Sequence, residues 1–194
     1  MLPSDRHAYI VEAFIGQRHG DTTRLRLATE EDAEFLLNLR LDSSRNQNIS
    51  ATSEDLSAQI AWMRDYVGRY AAGREAYFLI EVAGEPQGCL RLYDYLTGQD
   101  SFCWGSWIIK PGAPAQTAHQ SAILAYDLAF GAMGFTRAHF DVRQANASVW
   151  KFHEKMGAQL IREDALNRHY IYEVQDYRQA RVRLTKYTQN REFQ

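Results

Sequence analysis

Cysteine is scarce in this chain, which has only Cys89 and Cys103 among its 194 residues. Both lie in apolar runs that are typical of strands, so the sequence favours buried free thiols over a disulfide or a metal-binding pair. No metal site is predicted, and this use of cysteine is that of a protein in the reducing cytoplasm.

Long apolar runs and an excess of basic residues are also missing. No run approaches the roughly 20 apolar residues that a membrane-spanning helix needs, and residues 1–17 lack the apolar stretch of a secretory signal. The 22 basic and 24 acidic side chains give a formal charge of −2, with no basic block. These absences predict a cytoplasmic protein with neither a membrane nor a nucleic acid as partner.

The sequence also lacks the glycine-rich motif of nucleotide-binding folds. It does contain enough apolar residues to form one hydrophobic core. Apolar residues make up 45% of the chain, which excludes disorder and fits one domain with short extensions. Periodicity and capping signals predict the order β, α, α, β, β, β, loop, α, β, α, β, β. No strand leads into a Gly-x-Gly-x-x-Gly turn, so the expected fold is an α/β layered sheet other than the doubly wound one.

The two ends of the chain predict extensions to this domain. We divide the chain into an N-terminal extension over 1–23, a central domain over 24–175, and a C-terminal helix and tail over 176–194. Residues 1–22 predict an irregular leader with at most one short strand at 8–15. Residues 176–188 predict an exposed helix, which fits either a homodimer contact or a cover for its own domain.

The most informative stretch runs from Asn146 to Ala158 and directly follows a predicted strand. An Asn at the helix start, His153 seven residues later and Gly157 eleven residues later resemble the GNAT superfamily of N-acetyltransferases. The family usually has Tyr at the second of these positions. The resemblance implies that Asn146 and Trp150 belong to the cofactor-binding helix, with Asn146 bonded to the pantetheine arm. It also implies that His153 protonates the leaving thiolate, unless the ring faces the sheet or solvent.

A second segment follows the strand predicted at 101–109. In the family, backbone N–H groups of a glycine-rich turn bind the CoA pyrophosphate at a helix start. Here that motif is degenerate, and Pro111 and Pro114 remove two donors, so a plain capped helix is the alternative. The resemblance implies that the backbone groups of three strand residues pair with the pantetheine amides like an added strand: Trp107, Ile108 and Ile109. It gives phosphate contacts to six residues of the turn and helix: Gln116, Thr117, Ala118, His119, Gln120 and Ser121.

The acceptor amine must lose a proton before it attacks, and three side chains are candidates for the base: Glu81, Asp94 and His119. No spacing selects among them, and a solvated surface role is open for each. The resemblance places the acceptor near the loop between the first two helices, which carries Arg40, Arg45, Asn46, Gln47 and Asn48. Aromatic residues that could stack on a sugar or base are Tyr93, Tyr95, Trp104 and Trp107, with a core role as the alternative.

The resemblance covers about residues 24–174. It implies a mixed, mostly antiparallel sheet of six or seven strands with helices on both faces and a splayed central strand. It further implies that acetyl-CoA is the co-substrate and that a primary amine of a small molecule is acetylated by direct transfer. The pairs Trp104–Trp107 and Trp150–His153 look most like amino-sugar N-acetyltransferases of surface-glycan pathways. A protein N-terminal acetyltransferase and a non-catalytic acyl-CoA-binding or interaction module are the alternatives.

Overall fold

The structure is a computed structural model that describes residues 4–18, 22–42 and 52–187. These residues form six α-helices: α1 Ser4–Gln17, α2 Ala33–Leu41, α3 Leu56–Ala71, α4 Thr117–Tyr126, α5 Ala147–Met156 and α6 Val174–Arg183. They also form seven strands: β1 Thr23–Leu27, β2 Ala76–Val82, β3 Glu85–Leu96, β4 Ser101–Ile109, β5 Arg137–Arg143, β6 Gln159–Glu163 and β7 Asn167–Glu173.

The strands form one sheet in the order β1-β2-β3-β4-β5-β7-β6. Its neighbouring strands run antiparallel except for β4 and β5, which are parallel. The expected mixed, mostly antiparallel sheet is confirmed, with seven strands.

Helices cover both faces of the sheet, as predicted. Along β2, Phe78 and Ile80 point into a core shared with α1, α4 and α6, while Tyr77 and Leu79 point into a second core under α2 and α3. This double burial explains why β2 reads as a continuous apolar run rather than an alternating one.

The N-terminal segment is helical, so the prediction of an irregular leader with at most a short strand was wrong. Val11 and Phe14 of α1 are buried in the core that also holds α4 and α6. Their spacing of three residues, flanked by Ile10 and Ile15, puts one apolar stripe on a helix. Tertiary burial of that stripe stabilises a helix whose sequence signal is weak.

The C-terminal helix ends earlier than predicted, at Arg183, and is not exposed along its length. Tyr177 and Arg181 are buried, and both bind the carboxylate of Asp127, through the Tyr177 hydroxyl at 2.5 Å and the Arg181 Nε at 3.0 Å. Asp127 opens a π-helical continuation of α4 over Asp127–Ala132. Burial of Val174, Tyr177 and Ala180 against the domain explains why α6 lies on it, and the bonds to Asp127 satisfy the polar groups buried there.

The sheet opens between its two parallel strands. Pairing of β4 with β5 joins only Ser101–Cys103 to Arg137–His139. Beyond that point β4 stays with β3 as far as Ile109, and β5 stays with β7 as far as Arg143. A wedge therefore opens in the middle of the sheet, which confirms the predicted splayed central strand.

Candidate active site in the splayed sheet

A cleft of about 740 Å³ fills the wedge between β4 and β5. Its walls are residues 104–107 of β4, residues 140–143 of β5, the start of α3 and one face of α5. Because the wedge lacks strand pairing, the β5-facing edge of β4 offers backbone donors and acceptors to whatever enters it. The cleft is therefore suited to an extended ligand that pairs with a strand edge.

The β4 wall carries a β-bulge at Ser106 and Trp107, which together oppose the single residue Leu90 of β3. Ser106 has the left-handed φ of 49°, and its carbonyl accepts a hydrogen bond from the Cys89 thiol at 3.2 Å. The C=O and the following N–H of a trans peptide point in opposite directions. The Trp107 N–H therefore points away from the Cys89 thiol, which is buried in the core under α2 and α3.

His153 lies on α5 and faces the cleft, with only 3% of its surface exposed. Its ring packs against those of Trp104, Trp107 and Phe140, with centroid distances of 5.2, 6.0 and 4.5 Å. Burial lowers the pKa of His153 to about 3, because an apolar surrounding disfavours the charged imidazolium. Of the two protonation states considered from the sequence, only the neutral N–H donor is present near neutral pH.

Asn146 is the N-cap of α5 and also lines the cleft. Asn146, Val149 and His153 share one face of the helix by their spacing of three and four residues. Trp150 does not line the cleft, because its indole donates to the Gln144 carbonyl at 3.1 Å and the Arg168 guanidinium covers its ring. The structure thus brings Asn146 and His153 together and leaves Trp150 outside.

The three predicted strand residues have different surroundings. Trp107 lines the cleft, and its indole donates to the Ser121 hydroxyl at 3.1 Å. The Ile108 side chain is buried in the opposite core with α2 and α3, and Ile109 pairs with Gly88 of β3. The buried side chain of Ile108 leaves only its backbone for a ligand, which is the role that the resemblance gave these residues.

At the start of α4, several predicted phosphate-binding side chains are engaged within the protein. Ser121 is buried and also donates to the Ala118 carbonyl, while Gln120 accepts from Thr23 at 2.5 Å and donates to the Tyr187 carbonyl. The Thr117 side chain is buried, and Gln116 is the N-cap of the helix. The backbone N–H groups of the first turn, at Ala118 and His119, remain the natural anion contacts.

Two ammonium groups, those of Lys155 and Lys186, lie near this turn, and the sequence did not predict them there. The His119 ring stacks on Tyr187 with centroids 4.3 Å apart. Burial lowers the pKa of His119, and the nearby ammonium groups of Lys155 and Lys186 lower it further. These two lysines come from α5 and from the end of the chain, so only the folded structure places them beside α4.

The three candidate bases lie outside the cleft. Glu81 is buried on β2 between Arg24 and Arg26, each 2.7 Å away. Asp94 accepts from the His139 ring at 3.1 Å, on the far side of β3 from the apolar core. His119 stays at the α4 turn.

The carboxylates that do line the cleft are Asp55 and Asp141, and the sequence reading missed both. Asp141 lies in the strand that leads directly to the Asn146–Gly157 motif. The position of Asp141 directly before this motif is the sequence feature from which its place in the cleft could have been predicted.

Of the predicted acceptor residues, Arg40, Tyr93, Trp104 and Trp107 line the cleft. The ring of Tyr95 instead packs on Phe135 at 5.2 Å. Arg45, Asn46, Gln47 and Asn48 lie outside the described residues. The structure adds three side chains that the sequence reading did not name: Trp62, Arg91 and Arg143.

The described residues also show what the site is not built from. In the segments 4–18, 22–42 and 52–187, no three or more His, Cys, Asp or Glu side chains are grouped to hold a metal ion. Over the same segments, none of the helices has the length and apolar character needed to cross a membrane. Cys89 and Cys103 are buried free thiols, as the sequence predicted.

The comparisons with known proteins agree with this geometry. Residues 23–159 match the family model of the acetyltransferase (GNAT) domain. The chain is similar to the solved structure of apo FdhC, a nucleotide-linked sugar GNAT, with 40% identity over 86% of this chain and 95% of that one, and a TM-score of 0.79.

More distant solved structures share the fold. RimJ of Mycobacterium smegmatis, in complex with CoA-disulfide, is 16% identical over 84% of this chain and 88% of its own, with a TM-score of 0.71. Mutant forms of the spermidine/spermine N-acetyltransferase SpeG of Vibrio cholerae are 17% identical over 80% and 96%, with a TM-score of 0.64. Curated protein sequences gave no significant match.

Proposed function

Because the chain belongs to the GNAT family of acetyltransferases, we propose that it moves the acetyl group of acetyl-CoA to the primary amine of a nucleotide-linked amino sugar. The observation that carries this proposal is the meeting of Asn146, His153 and the β4 bulge around one cleft. The relative named as a nucleotide-linked sugar GNAT supports the choice of acceptor.

The cofactor would lie along β4. Its pantetheine amides would pair with the free edge of residues 107–109, with the Asn146 side chain at the start of α5 as a further partner. Its pyrophosphate would meet the first turn of α4, where the helix dipole and the charges of Lys155 and Lys186 favour an anion. These contacts place the thioester beside the bulge and His153.

The chemistry would be a direct transfer in a ternary complex. The amine attacks the thioester carbonyl, and the Trp107 N–H stabilises the oxyanion that forms. The neutral His153 ring donates an N–H hydrogen bond to the departing sulfur, in an apolar surrounding that strengthens such a bond. Orientation of two bound substrates supplies much of the rate.

The charged wall of the cleft suits an acceptor that carries a diphosphate. Arg40 and Arg143 line it, with the Arg143 Nη1 3.3 Å from the Asn167 side-chain oxygen. Trp62 and Tyr93 add flat surfaces on which a base or sugar can stack. Two buried free thiols fit a cytoplasmic enzyme, and the cytoplasm is the compartment that we propose.

The first experiment is isothermal titration of acetyl-CoA into the wild-type protein and into an Asn146→Ala, His153→Ala double variant. Micromolar binding that weakens in the variant, followed by CoA release when a dTDP-linked 4-amino-4,6-dideoxy sugar is added, would support the proposal. Binding without turnover on amino sugars would favour the non-catalytic module. Turnover on peptide N-termini alone would favour a protein N-terminal acetyltransferase, and the absence of binding would overturn the cofactor assignment.

A substitution at Arg143 tests the acceptor class. In Arg143→Gln we expect the KM for the dTDP-linked sugar to rise about 10- to 100-fold, since a hydrogen bond to a charged group contributes about 1.5–3 kcal/mol. The KM for the methyl glycoside of the same amino sugar should not change. An equal effect on both acceptors would contradict a contact with the diphosphate.

A further inference from the structure

The cleft has two carboxylates, and they differ in what they already bind. Asp55 is the N-cap of α3, and its Oδ1 accepts from the Ser57 N–H at 2.8 Å and from the Ser57 hydroxyl at 2.7 Å. For Asp141, the described part of the chain supplies neither a hydrogen bond nor an ion pair, and its side chain is exposed in the cleft. Asp141 is therefore the carboxylate that is available to a ligand.

Asp141 lies just past the point at which β4 and β5 separate. The last paired residues are Cys103 and His139, so a continued register would have placed Asp141 opposite Gly105. The preceding residue, Phe140, packs on His153 from the other face of β5, with ring centroids 4.5 Å apart. Side chains alternate between the faces of a strand, so Asp141 and His153 flank the wedge from opposite sides.

The carboxylate shares its side of the sheet with Tyr93 and Cys103. Burial is the main cause that raises the pKa of both groups, and the negative charge of Asp141 contributes a smaller part. This influence agrees with the alternation of side chains along the strands, which puts Asp141 on the same face of the sheet as Tyr93 and Cys103.

The other charges around Asp141 are mostly positive. An ammonium group that enters the cleft is repelled by arginines and attracted by a carboxylate. The titratable and charged groups on the neighbouring elements are Arg40, Asp55, Arg91, Tyr93, Asp94, Cys103, His139, Arg143 and His169, the last of which pairs with Asp141 across β5 and β7. The other two carboxylates are engaged, since Asp55 bonds Ser57 and Asp94 accepts from the His139 ring at 3.1 Å. Arg91 is held by the Glu75 carboxylate, which leaves Asp141 as the attractive position for an amine.

We propose that Asp141 binds the acceptor amine and takes up its proton before the attack, which makes it a further catalytic residue of the function proposed above. The ammonium gives one proton to the Asp141 carboxylate, and the freed lone pair forms the C–N bond as the carbonyl electrons move to oxygen. The nitrogen passes its second proton to sulfur as the C–S bond breaks. The products are the amide and CoA thiol, and Asp141 returns its proton to water.

The test compares Asp141→Asn with the wild type, using acetyl-CoA and the dTDP-linked amino sugar as probes. We expect kcat/KM for the sugar to fall about 100-fold at pH 7, within the usual contribution of a general base, with acetyl-CoA affinity unchanged. The deficit should shrink at higher pH, where solution supplies the neutral amine. A variant that only disturbed the fold would not show this recovery.

Two further variants keep the test decisive. Asp141→Glu restores a carboxylate and should recover at least a tenth of the wild-type rate, while Asp65→Asn, on the exposed side of α3, should match the wild type. Wild-type turnover together with an Asp141→Asn rate within threefold of it would overturn this inference alone. A large loss in Asp94→Asn instead would move the role to Asp94. Failure of the wild type to acetylate any amine would overturn the proposed function itself.

Discussion

The two sides of the cleft differ in chemistry although they share the same strands. The cofactor side, lined by Trp104, Trp107, Phe140, Val149 and His153, is apolar and aromatic. The acceptor side, on the other face of the sheet, is charged, and its residues are Arg40, Asp55, Arg91, Asp141 and Arg143. A strand places successive side chains on opposite faces, so one pair of splayed strands presents two chemically different surfaces. In the proposed function the apolar surface meets the acyl donor, and the charged surface, with Asp141, meets the amine.

The apolar side should govern the departure of the CoA thiol, and we expect His153→Phe to impair this step most strongly. Phe retains the ring contacts with Trp104, Trp107 and Phe140 but removes the N–H donor. We expect kcat to fall about 100- to 1,000-fold, as for the loss of a proton-transfer group or of an oriented donor. The KM for the acceptor should stay constant in steady-state assays. A loss confined to that KM would show that His153 serves recognition.

The charged side should govern recognition, and Gly105→Ala sharpens the contrast. A methyl group at Gly105 would lie 2.9 Å from the Tyr93 hydroxyl, so the tyrosine ring would have to move into the acceptor side. Because the atom in the way is the far end of a side chain at the cleft, the fold can accommodate this shift. We expect the KM for the acceptor to rise a few-fold with acetyl-CoA binding intact.

Gly68→Ala is the matched control for this substitution. It adds a methyl group to α3 where nothing lies within 4 Å, so both affinities should equal those of the wild type. An equal loss of acetyl-CoA binding in Gly105→Ala would show that the two sides of the cleft are not independent.

The smallest expected effect is a pH dependence of the free energy of unfolding, which His153 on the apolar side should cause. The pKa of His153 is about 3 in the folded protein and near 6.5 in the unfolded chain. The unfolded state therefore binds more protons between these values, and stability should fall as the pH drops below 6.5, by at most about 1.4 kcal/mol per pH unit. Urea unfolding at pH 5 and pH 7 measures this slope. His153→Phe should flatten it, and an unchanged slope in that variant would assign the effect to His7 or His119, whose pKa values are also lowered.

The sheet and the motif helix were predictable from the sequence because their signals are local. The strand patterns of β2, β3 and β4 and the stop of α5 at Gly157 depend on neighbouring residues. The site was predictable only where one face of a helix sets it, as for Asn146 and His153. Asp141, Lys155 and Lys186 depend on the splay and on contacts between distant elements. Glu81 illustrates the reverse error, since arginines on a neighbouring strand neutralise a carboxylate that looks available in the sequence.

The buried carboxylate of Asp127 has a consequence for the two ends of the chain. Arg18, which follows α1, and Arg181 of α6 both bind it, at 3.6 and 3.0 Å. A shortened chain that kept only the family-matched residues 23–159 would lose both of these cations, together with α1, α6 and strand β7, which pairs with both β5 and β6. The smallest unit able to fold is therefore wider than the stretch that marks the family, and its first and last helices depend on the same anion.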